Sequence, residues 1–295
     1  MSLSMITAPD IHAISTFVTE QKQAGRTIAF VPTMGALHAG HLDLIRVARA
    51  EADIVIVSVF VNPTQFGPNE DFSAYPRTLD DDLRQCEQAG AAAVFCPEKE
   101  ELYSATSYIG FELSGLGDHL CGAARPGHFN GVIQIVNKLF NIVKPDVAVF
   151  GQKDIQQFRI LEVMAHEFNH DIRIIMGRTV RAADGLALSS RNRYLTREER
   201  IIAPALFSTL QETSHALQQL PAATNVAAQI QNLLEGAAAR LNSAGFRTDY
   251  VQCVRYNDLQ PPHTFEAREI YVLAGAAFLG KARLIDNLLF TLLQP

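Results

Sequence analysis

The sequence has few cysteines, and none of them are paired at a spacing typical of redox or metal sites. Its four cysteines are Cys86, Cys96, Cys121 and Cys253, and no two form a Cys-x-x-Cys motif. A disulfide framework needs organised cysteine pairs, and a zinc site needs ligands at matching spacings. We therefore expect reduced, partly buried thiols rather than a disulfide-stabilised domain.

The sequence also lacks a long apolar run and an excess of positive charge. No stretch approaches the roughly 20 apolar residues that a membrane-spanning helix needs, and no signal-peptide pattern opens it. The formal net charge is −6, whereas neutralising nucleic-acid phosphates requires an excess of lysine and arginine. We therefore expect a cytoplasmic protein that binds neither membranes nor nucleic acids. A local cationic pocket can still bind a small anion.

Common motifs of nucleotide binding and covalent catalysis are missing too. The sequence contains neither the P-loop pattern GxxxxGK[ST] nor a convincing GxGxxG. No Ser-His-Asp or Cys-His spacing indicates a covalent nucleophile. Any phosphate site must therefore be built from other residues.

The first 180 residues alternate short apolar runs with amphipathic helical patterns. The runs are 27–32, 53–61, 91–96, 146–150 and 171–176. Nearly continuous apolar strands between helices predict a parallel sheet covered on both faces, with right-handed crossovers. We therefore predict an α/β fold with a Rossmann-like doubly wound parallel sheet.

The pattern changes after residue 178. Two alanine-rich helical stretches near 197–219 and 223–243 precede strand-like segments at 248–256, 269–278 and 282–290. We predict one domain at 1–178. Residues 179–295 are predicted to form a smaller α+β domain.

Three polar loops that contain glycine directly follow predicted strands. They are PTMGALHAGH (32–41), NPTQFGPNED (62–71) and GQKD (151–154). In such folds ligands bind beyond the carboxyl ends of the strands. We therefore expect the three loops to converge at one edge of the sheet.

The first loop carries two histidines, His38 and His41, at the start of a predicted helix. Their spacing puts both imidazoles on one face. Gly35 and Gly40 would let the backbone approach a phosphate, and the helix N-terminus would add free N–H donors. Imidazoles there can stabilise charge on a phosphorus in transit. Two alternatives remain: the histidines cap the helix, or they form half of a zinc site, for which no further ligand has a matching spacing.

Acidic residues near 80 and a lysine at 153 are further candidates for binding a metal or a phosphate, and each also has a purely structural explanation. Asp80, Asp81 and Asp82 follow Thr78 in a helical first turn, where acids offset the helix dipole or hold Mg²⁺ beside nucleotide phosphates. The local sequence favours the structural role. Lys153 can neutralise phosphate or be a solvated surface charge.

Polar side chains in three further segments could bind a substrate. Gln157 suits a substrate hydroxyl or carboxylate, although glutamines on helices usually face water. His128 lies in RPGHFNG, ahead of a predicted helix. The segment LSSRNRY (188–194) offers two hydroxyls and two guanidinium groups, which can bind polyphosphate.

Six motifs in a fixed order carry a resemblance to a known family. They are VPTMGALHAGH, SVFVNPTQF, YPRTLDDDL, RPGHFNGV, FGQKDIQQ and ADGLALSSRNRYL, between residues 31 and 195. Together they resemble the pantothenate synthetase (pantoate–β-alanine ligase) family of adenylate-forming nucleotidyltransferases, whose HxGH motif stands here as HAGH. A lone HxGH would be weak evidence, whereas six ordered motifs are specific. The C-terminal region is similar mainly in size and pattern.

The resemblance implies a ligase that forms a C–N bond. Its reaction would be the ATP-dependent condensation of (R)-pantoate with β-alanine to pantothenate, in the coenzyme A pathway, through a pantoyl adenylate and with release of AMP and diphosphate. ATP with Mg²⁺ would be needed, with no tightly bound organic cofactor, and the protein would be a homodimer. The alternative is another HxGH nucleotidyltransferase that acts on a phosphorylated alcohol.

For this reaction we expect 1–178 to bind nucleotide and pantoate, and 179–295 to act as a lid that excludes water. The resemblance also implies a set of site residues. The catalytic residues would be His41, His38, Lys153, Ser189, Ser190 and Arg191, with His41 as a proton donor. The ATP site would comprise Met34, Gly35, Ala36, Leu37, His38, Ala39, Gly40, His41, Gly151, Gln152, Lys153, Asp154, Val180, Leu188, Ser189, Ser190 and Arg191. Asn62, Gln65, His128 and Gln157 would contact pantoate or β-alanine, and Asp81, Asp82 and Gln85 would form the Mg²⁺ region.

Overall fold

The structure, a computed structural model, describes residues 4–292 except 69, 71, 107, 223 and 224. Parts of the predicted loop 62–71 and of the predicted helix 223–243 therefore lie outside the described residues. The chain divides into two compact units. Unit 1 comprises Met1–Glu112, Pro126–Gln152 and Ile160–Arg178, and unit 2 comprises Leu113–Arg125, Lys153–Arg159 and Thr179–Pro295.

Unit 1 is built on a six-stranded sheet. Its strands are β1 Ile6–Ala8, β2 Ile28–Thr33, β3 Ile54–Val59, β4 Ala93–Phe95, β5 Val147–Gly151 and β6 Arg173–Gly177. They lie in the order β1-β4-β3-β2-β5-β6, and all neighbours pair in parallel. The predicted parallel α/β fold is confirmed. β1 was not predicted, because residues 6–8 lie outside the apolar runs from which the strands were predicted.

Ten α-helices lie in the described part of the chain. They are α1 Ile11–Gln23, α2 Ala39–Glu51, α3 Leu79–Ala89, α4 Lys99–Leu102, α5 Leu120–Ala124, α6 His128–Val143, α7 Ile155–Glu167, α8 Arg197–Ile202, α9 Ala205–Gln218 and α10 Ala227–Ser243. One core of unit 1 joins β2, β3, β4 and β5 to the apolar face of α2, where Ile45 and Ala48 are fully buried. Residues 28–31 of β2 are fully buried as well, as expected for a parallel strand covered on both faces.

Unit 2 contains a three-stranded antiparallel sheet. Its strands are β7 Arg247–Arg255, β8 Tyr271–Leu279 and β9 Ala282–Phe290, in the order β7-β8-β9. Apolar side chains from α9, α10 and this sheet form a second core, which confirms the smaller α+β part. The helix predicted over 197–219 is two helices, because Pro204 cannot donate the backbone bond that a continuous helix needs there.

Two further expectations from composition can be compared with the structure. All four cysteines are free thiols, and burial raises the pKa of both Cys86 and Cys253 to about 12. Such thiols are unreactive at neutral pH.

Among the described residues, no helix combines the length and apolar character needed to cross a bilayer.

One close approach of two backbones occurs at Gly131. A Cβ at this position of α6 would lie 2.2 Å from the backbone oxygen of Thr64, in the 3-10 turn Pro63–Gln65. Neither backbone can move without disturbing its own element. Gly236 in α10 is the opposite case, since its Cβ would meet only the end of the Arg240 side chain, at 3.8 Å.

We therefore expect opposite effects from the same substitution at these two glycines. Gly131→Ala should lower the free energy of unfolding by about 1–3 kcal/mol, the usual effect of overpacking. Gly236→Ala should raise it by about 0.5–1 kcal/mol, because alanine favours a helix interior. Urea unfolding followed by circular dichroism measures both. An unchanged midpoint for Gly131→Ala would contradict the contact.

Candidate active site

The turn that joins β2 to α2 carries both histidines and is called the histidine turn here (34–41). β2 ends at Thr33 and α2 begins at Ala39, so the turn lies at the carboxyl end of a central strand. Gly35 and Ala36 both have positive φ, +75° and +49°. This region is unfavourable for a residue with a side chain. Other contacts must therefore hold Ala36 in place.

Asp82 of α3 supplies those contacts. Its Oδ2 accepts a hydrogen bond from the Ala36 N–H at 3.0 Å, and its Oδ1 accepts one from the Leu37 N–H at 2.8 Å. The Thr78 hydroxyl donates to Oδ2 at 3.3 Å. Asp82 is only 1% exposed. A Cβ on Gly35 would lie 2.9 Å from the same oxygen, so a glycine is needed for the carboxylate to approach.

Both imidazoles cap α2 through their Nδ1 atoms. The Gly40 N–H donates to His38 Nδ1 at 3.1 Å, and the His38 N–H donates to His41 Nδ1 at 3.4 Å. The ring centroids lie 4.1 Å apart. A ring nitrogen that accepts a hydrogen bond carries no proton, so each neutral ring has its proton on Nε2. The capping alternative is therefore confirmed, and Nε2–H is the donor of each neutral ring.

Most backbone N–H groups of the histidine turn have acceptors within the protein, whereas we expected free donors at the start of α2. The Gly35 N–H donates to the Thr33 hydroxyl at 3.1 Å. The N–H groups of Gly35, Ala36, Leu37, His38 and Gly40 thus all donate to side chains of the protein. A phosphate would have to displace these acceptors, so side-chain donors are better suited to bind it.

Asn62 is the centre of a second cluster in unit 1. Its Nδ2 donates to Gln65 Oε1 and to the Gly131 carbonyl, both at 3.1 Å. Its Oδ1 accepts from the Tyr103 hydroxyl at 2.8 Å and from the Thr64 hydroxyl at 3.0 Å. These four bonds use the whole capacity of a primary amide. Asn62 therefore orients Gln65, and direct contact with a substrate would cost it one of these bonds.

Gln65 connects this cluster to the histidine turn. Its Nε2 lies 2.9 Å from Met34 Sδ, and its backbone oxygen lies 2.7 Å from His128 Nδ1. Since a carbonyl only accepts, His128 donates from Nδ1, and its neutral ring has Nε2 as an acceptor. His128 thus has the opposite tautomer from His38 and His41. The structure brings the predicted residues Met34, Asn62, Gln65 and His128 together.

Lys153 and its neighbours lie where β5 ends. A 3-10 turn, Gln152–Asp154, follows Gly151 directly. The Lys153 ammonium lies 3.9 Å from the Asp154 carboxylate, and the Lys153 side chain is 21% exposed. The Lys153 carbonyl accepts a bond from Asn287 Nδ2 at 2.9 Å. Gln157 is half-buried on α7.

The remaining predicted ATP residues form a hairpin and a turn in unit 2. The Leu188 N–H donates to the Val180 carbonyl at 2.9 Å. Ser189 caps the 3-10 turn Ser190–Tyr194, and its hydroxyl accepts from the Arg191 N–H at 3.3 Å. The predicted ATP residues therefore belong to two groups. Residues 34–41, 151 and 152 belong to unit 1, and residues 153, 154, 180 and 188–191 belong to unit 2.

The three residues of the predicted Mg²⁺ region lie on α3 in different surroundings. Asp82 is poorly suited to bind a metal, because both its oxygens already accept backbone bonds. Asp81 is exposed and forms an ion pair with Arg84, and Gln85 is half-buried. The described residues contain no cluster of three or more His, Cys, Asp or Glu that could hold a metal.

Comparison with known proteins identifies the family. The sequence profile of the family described as pantoate-beta-alanine ligase matches residues 7–289. The chain belongs to the pantoate–β-alanine ligase family. A pantothenate synthetase from Psychrobacter sp. (strain PRwf-1) is 48% identical over 263 residues, which cover 89% of this chain and 91% of that protein.

Solved structures of this ligase family have the same fold. The crystal structure of pantothenate synthetase from Thermus thermophilus matches this chain with a TM-score of 0.84 and 37% sequence identity. The match covers 96% of this chain and 99% of that one. The pantoate–β-alanine ligase from Francisella tularensis, solved in complex with β-γ ATP and β-alanine, has a TM-score of 0.77 at 34% identity. It covers 97% of both chains.

Several residues that support the site in this ligase family member were not predicted. They are Thr33, Tyr103, Gly131, Asp286 and Asn287. Thr33, Tyr103 and Gly131 lie in segments whose patterns are ordinary for a strand, a loop and a helix. Asp286 and Asn287 left a signal, because they interrupt the apolar strand-like segment 282–290 with two adjacent polar residues.

We predict that Asp82→Asn impairs the histidine turn without changing the response to metal. One carboxylate oxygen becomes an NH₂ group, so one turn N–H loses its acceptor. The rate of adenylate formation should fall about 10- to 100-fold, the scale of an ångström-sized displacement at a reacting centre. Single-turnover rates across a range of Mg²⁺ concentrations measure this.

Asp80→Asn is the matched control. It removes the same charge from the same helix turn, but at an exposed residue, and it should leave the rate near that of the unmodified chain. Recovery of the Asp82→Asn rate at high Mg²⁺ would contradict the bracing role and indicate that Asp82 is a metal ligand.

Proposed function

We propose that this chain catalyses the ATP-dependent condensation of (R)-pantoate with β-alanine to pantothenate, with release of AMP and diphosphate. The family match over residues 7–289 is the observation that carries the proposal. The complex of the Francisella relative with β-γ ATP and β-alanine supports two of the three substrates. The alternative, a nucleotidyltransferase acting on a phosphorylated alcohol, receives no support from this match.

The first step joins pantoate to AMP. A carboxylate oxygen of pantoate attacks the α-phosphorus of ATP, the bond from that phosphorus to the bridging oxygen breaks, and diphosphate leaves. Both reactants are anions, so cationic and N–H groups must offset their repulsion before positioning can accelerate the reaction.

The side chains of the predicted catalytic set would provide this stabilisation. The Nε2–H groups of His38 and His41 would donate to oxygens of the transferring phosphoryl group, and His41 would also act as the proton donor. Lys153, together with 189–191, would bind the other phosphates. The occupied N–H groups of the histidine turn support this division of roles, because they leave charge stabilisation to side chains.

The cluster around Asn62 would bind pantoate. Gln65 is held from both sides, by Asn62 and by Met34, so its amide is pre-organised for a hydroxyl or carboxylate. His128 and Gln157 are also predicted to contact substrate, and they would complete this group of substrate-binding residues. Asn62 would act mainly by fixing Gln65, since its own amide is saturated.

The second step forms the new C–N bond. The β-alanine nitrogen attacks the acyl carbon of pantoyl adenylate, the bond from that carbon to the AMP oxygen breaks, and the nitrogen loses a proton. Water would hydrolyse this acyl phosphate, so the site must exclude it until the amine arrives. The predicted lid role of residues 179–295 would serve this purpose.

Three properties stay predictions from the resemblance. Mg²⁺ would enter with ATP and reduce its charge, and Asp81 and Gln85 are more plausible contacts for it than Asp82. The protein would form a homodimer and act in the cytoplasm.

Isotope exchange between diphosphate and ATP tests the function directly. We expect exchange that requires pantoate, and equal amounts of AMP and pantothenate only when β-alanine is added. Exchange that is indifferent to pantoate would favour the alternative acceptor. ATP binding without exchange and without AMP release in the presence of pantoate and β-alanine would contradict the proposed activity.

Substitutions of the two histidines should lower this exchange without unfolding the protein. His38→Ala and His41→Ala each remove a donor to the transferring phosphoryl group, so the rate should fall about 100-fold or more. His38→Asn separates capping from catalysis, because asparagine is a good N-cap but lacks Nε2–H. We expect this variant to melt like the unmodified chain and to be as slow as His38→Ala. Near-normal exchange in His38→Asn would contradict the role of Nε2–H.

A further inference from the structure

Strand β9 of unit 2 carries two adjacent polar residues in an otherwise apolar core. Asp286 and Asn287 are 3% and 1% exposed. Burying polar groups is unfavourable unless they are hydrogen-bonded, so the partners of these side chains indicate why the strand contains them. We infer that Asn287 is a positioning residue for Lys153, and this inference rests on the proposed function.

Asn287 bonds the backbone of Lys153 directly. Its Nδ2 donates to the Lys153 carbonyl at 2.9 Å. Lys153 lies in the single 3-10 turn Gln152–Asp154, and such a turn has weak hydrogen-bond geometry of its own. A bond from a rigid strand therefore fixes the backbone position from which the lysine side chain reaches a phosphate.

Asp286 bonds Arg181, which lies in the same hairpin as the predicted ATP residues Val180 and Leu188. Its two oxygens pair with the guanidinium of Arg181, with 2.8 Å between Oδ1 and Nη2. Arg181 also donates to the Gly185 carbonyl at 3.1 Å, and its guanidinium lies 3.5 Å from the ring centre of Phe207. Arg181 follows Val180 in the hairpin whose other arm ends at Leu188. The hairpin is therefore anchored to the same strand.

Neighbouring residues of a strand point to opposite faces, so β9 contacts Lys153 with one residue and the hairpin with the next. The Asn287 N–H also donates to Asp286 Oδ1 at 2.8 Å. β9 pairs with β8 along its whole length, which makes it a stiff support. Two adjacent side chains thus set the spacing between the lysine and the hairpin, although neither residue belongs to the predicted ATP site.

A double-mutant cycle separates positioning from a general structural role. Asn287→Ala removes the donor, and Asn287→Asp removes it while keeping the size. Each is made alone and together with Lys153→Ala. The readouts are the Kd of a non-hydrolysable ATP analogue, by calorimetry, and the single-turnover rate of adenylate formation.

If Asn287 acts through Lys153, each Asn287 variant should weaken analogue binding or slow adenylation about 10- to 100-fold. In the Lys153→Ala background the same substitution should change neither quantity by more than about twofold, because the effects of substitutions at interacting residues are not additive. Equal losses in both backgrounds, or no loss in the single variants, would overturn the inference.

Asp249→Asn is the matched control. Asp249 accepts from Arg283 at 2.7 Å in the same sheet, and within the described part of the chain it bonds neither Lys153 nor the hairpin. It should lower the melting temperature while leaving analogue binding and adenylation unchanged. If the unmodified chain binds the analogue but forms no adenylate from pantoate, the proposed function fails. The double-mutant cycle, measured by binding of the ATP analogue, then still decides whether Asn287 positions Lys153.

Discussion

The buried carboxylate of Asp82 is the interaction on which the rest of the site depends. It accepts two backbone N–H bonds from a turn in which Ala36 has an unfavourable left-handed conformation. Strain of this kind persists only where neighbouring groups determine the conformation. By fixing the end of β2, Asp82 fixes the point at which α2 begins, and with it both capping imidazoles.

The hydrogen bonds at the start of α2 are unusual for a helix N-terminus. Such a terminus often binds anions with its own N–H groups, but here the N–H groups of residues 35–38 and of Gly40 already donate to side chains of the protein. Each imidazole instead uses Nδ1 for the cap and keeps its proton on Nε2. In the proposed function each histidine thus combines a structural and a chemical role, and a residue that only caps the helix would lack the Nε2–H donor.

The sequence revealed the parallel sheet because buried strands and amphipathic helices have distinct periods. It also identified the loops that carry His38, Asn62 and Lys153. It could not show which acceptor each turn N–H would find, since Asp82 lies more than 40 residues away from that turn and its first-turn position looked like ordinary helix capping. The anchoring of Lys153 by Asn287 depends on chain segments 134 residues apart, a pairing that no local pattern encodes.

The protonation of the two ring nitrogens tests the central claim most directly. Long-range ¹H–¹⁵N NMR spectra, assigned with single-histidine variants, distinguish Nδ1–H from Nε2–H in neutral imidazoles. We predict Nε2–H for both His38 and His41, with the Nε2 signals shifting when ATP is added. A proton on Nδ1 of either ring would contradict the capped arrangement. Spectra that ATP leaves unchanged would contradict the role of the two rings in phosphate binding.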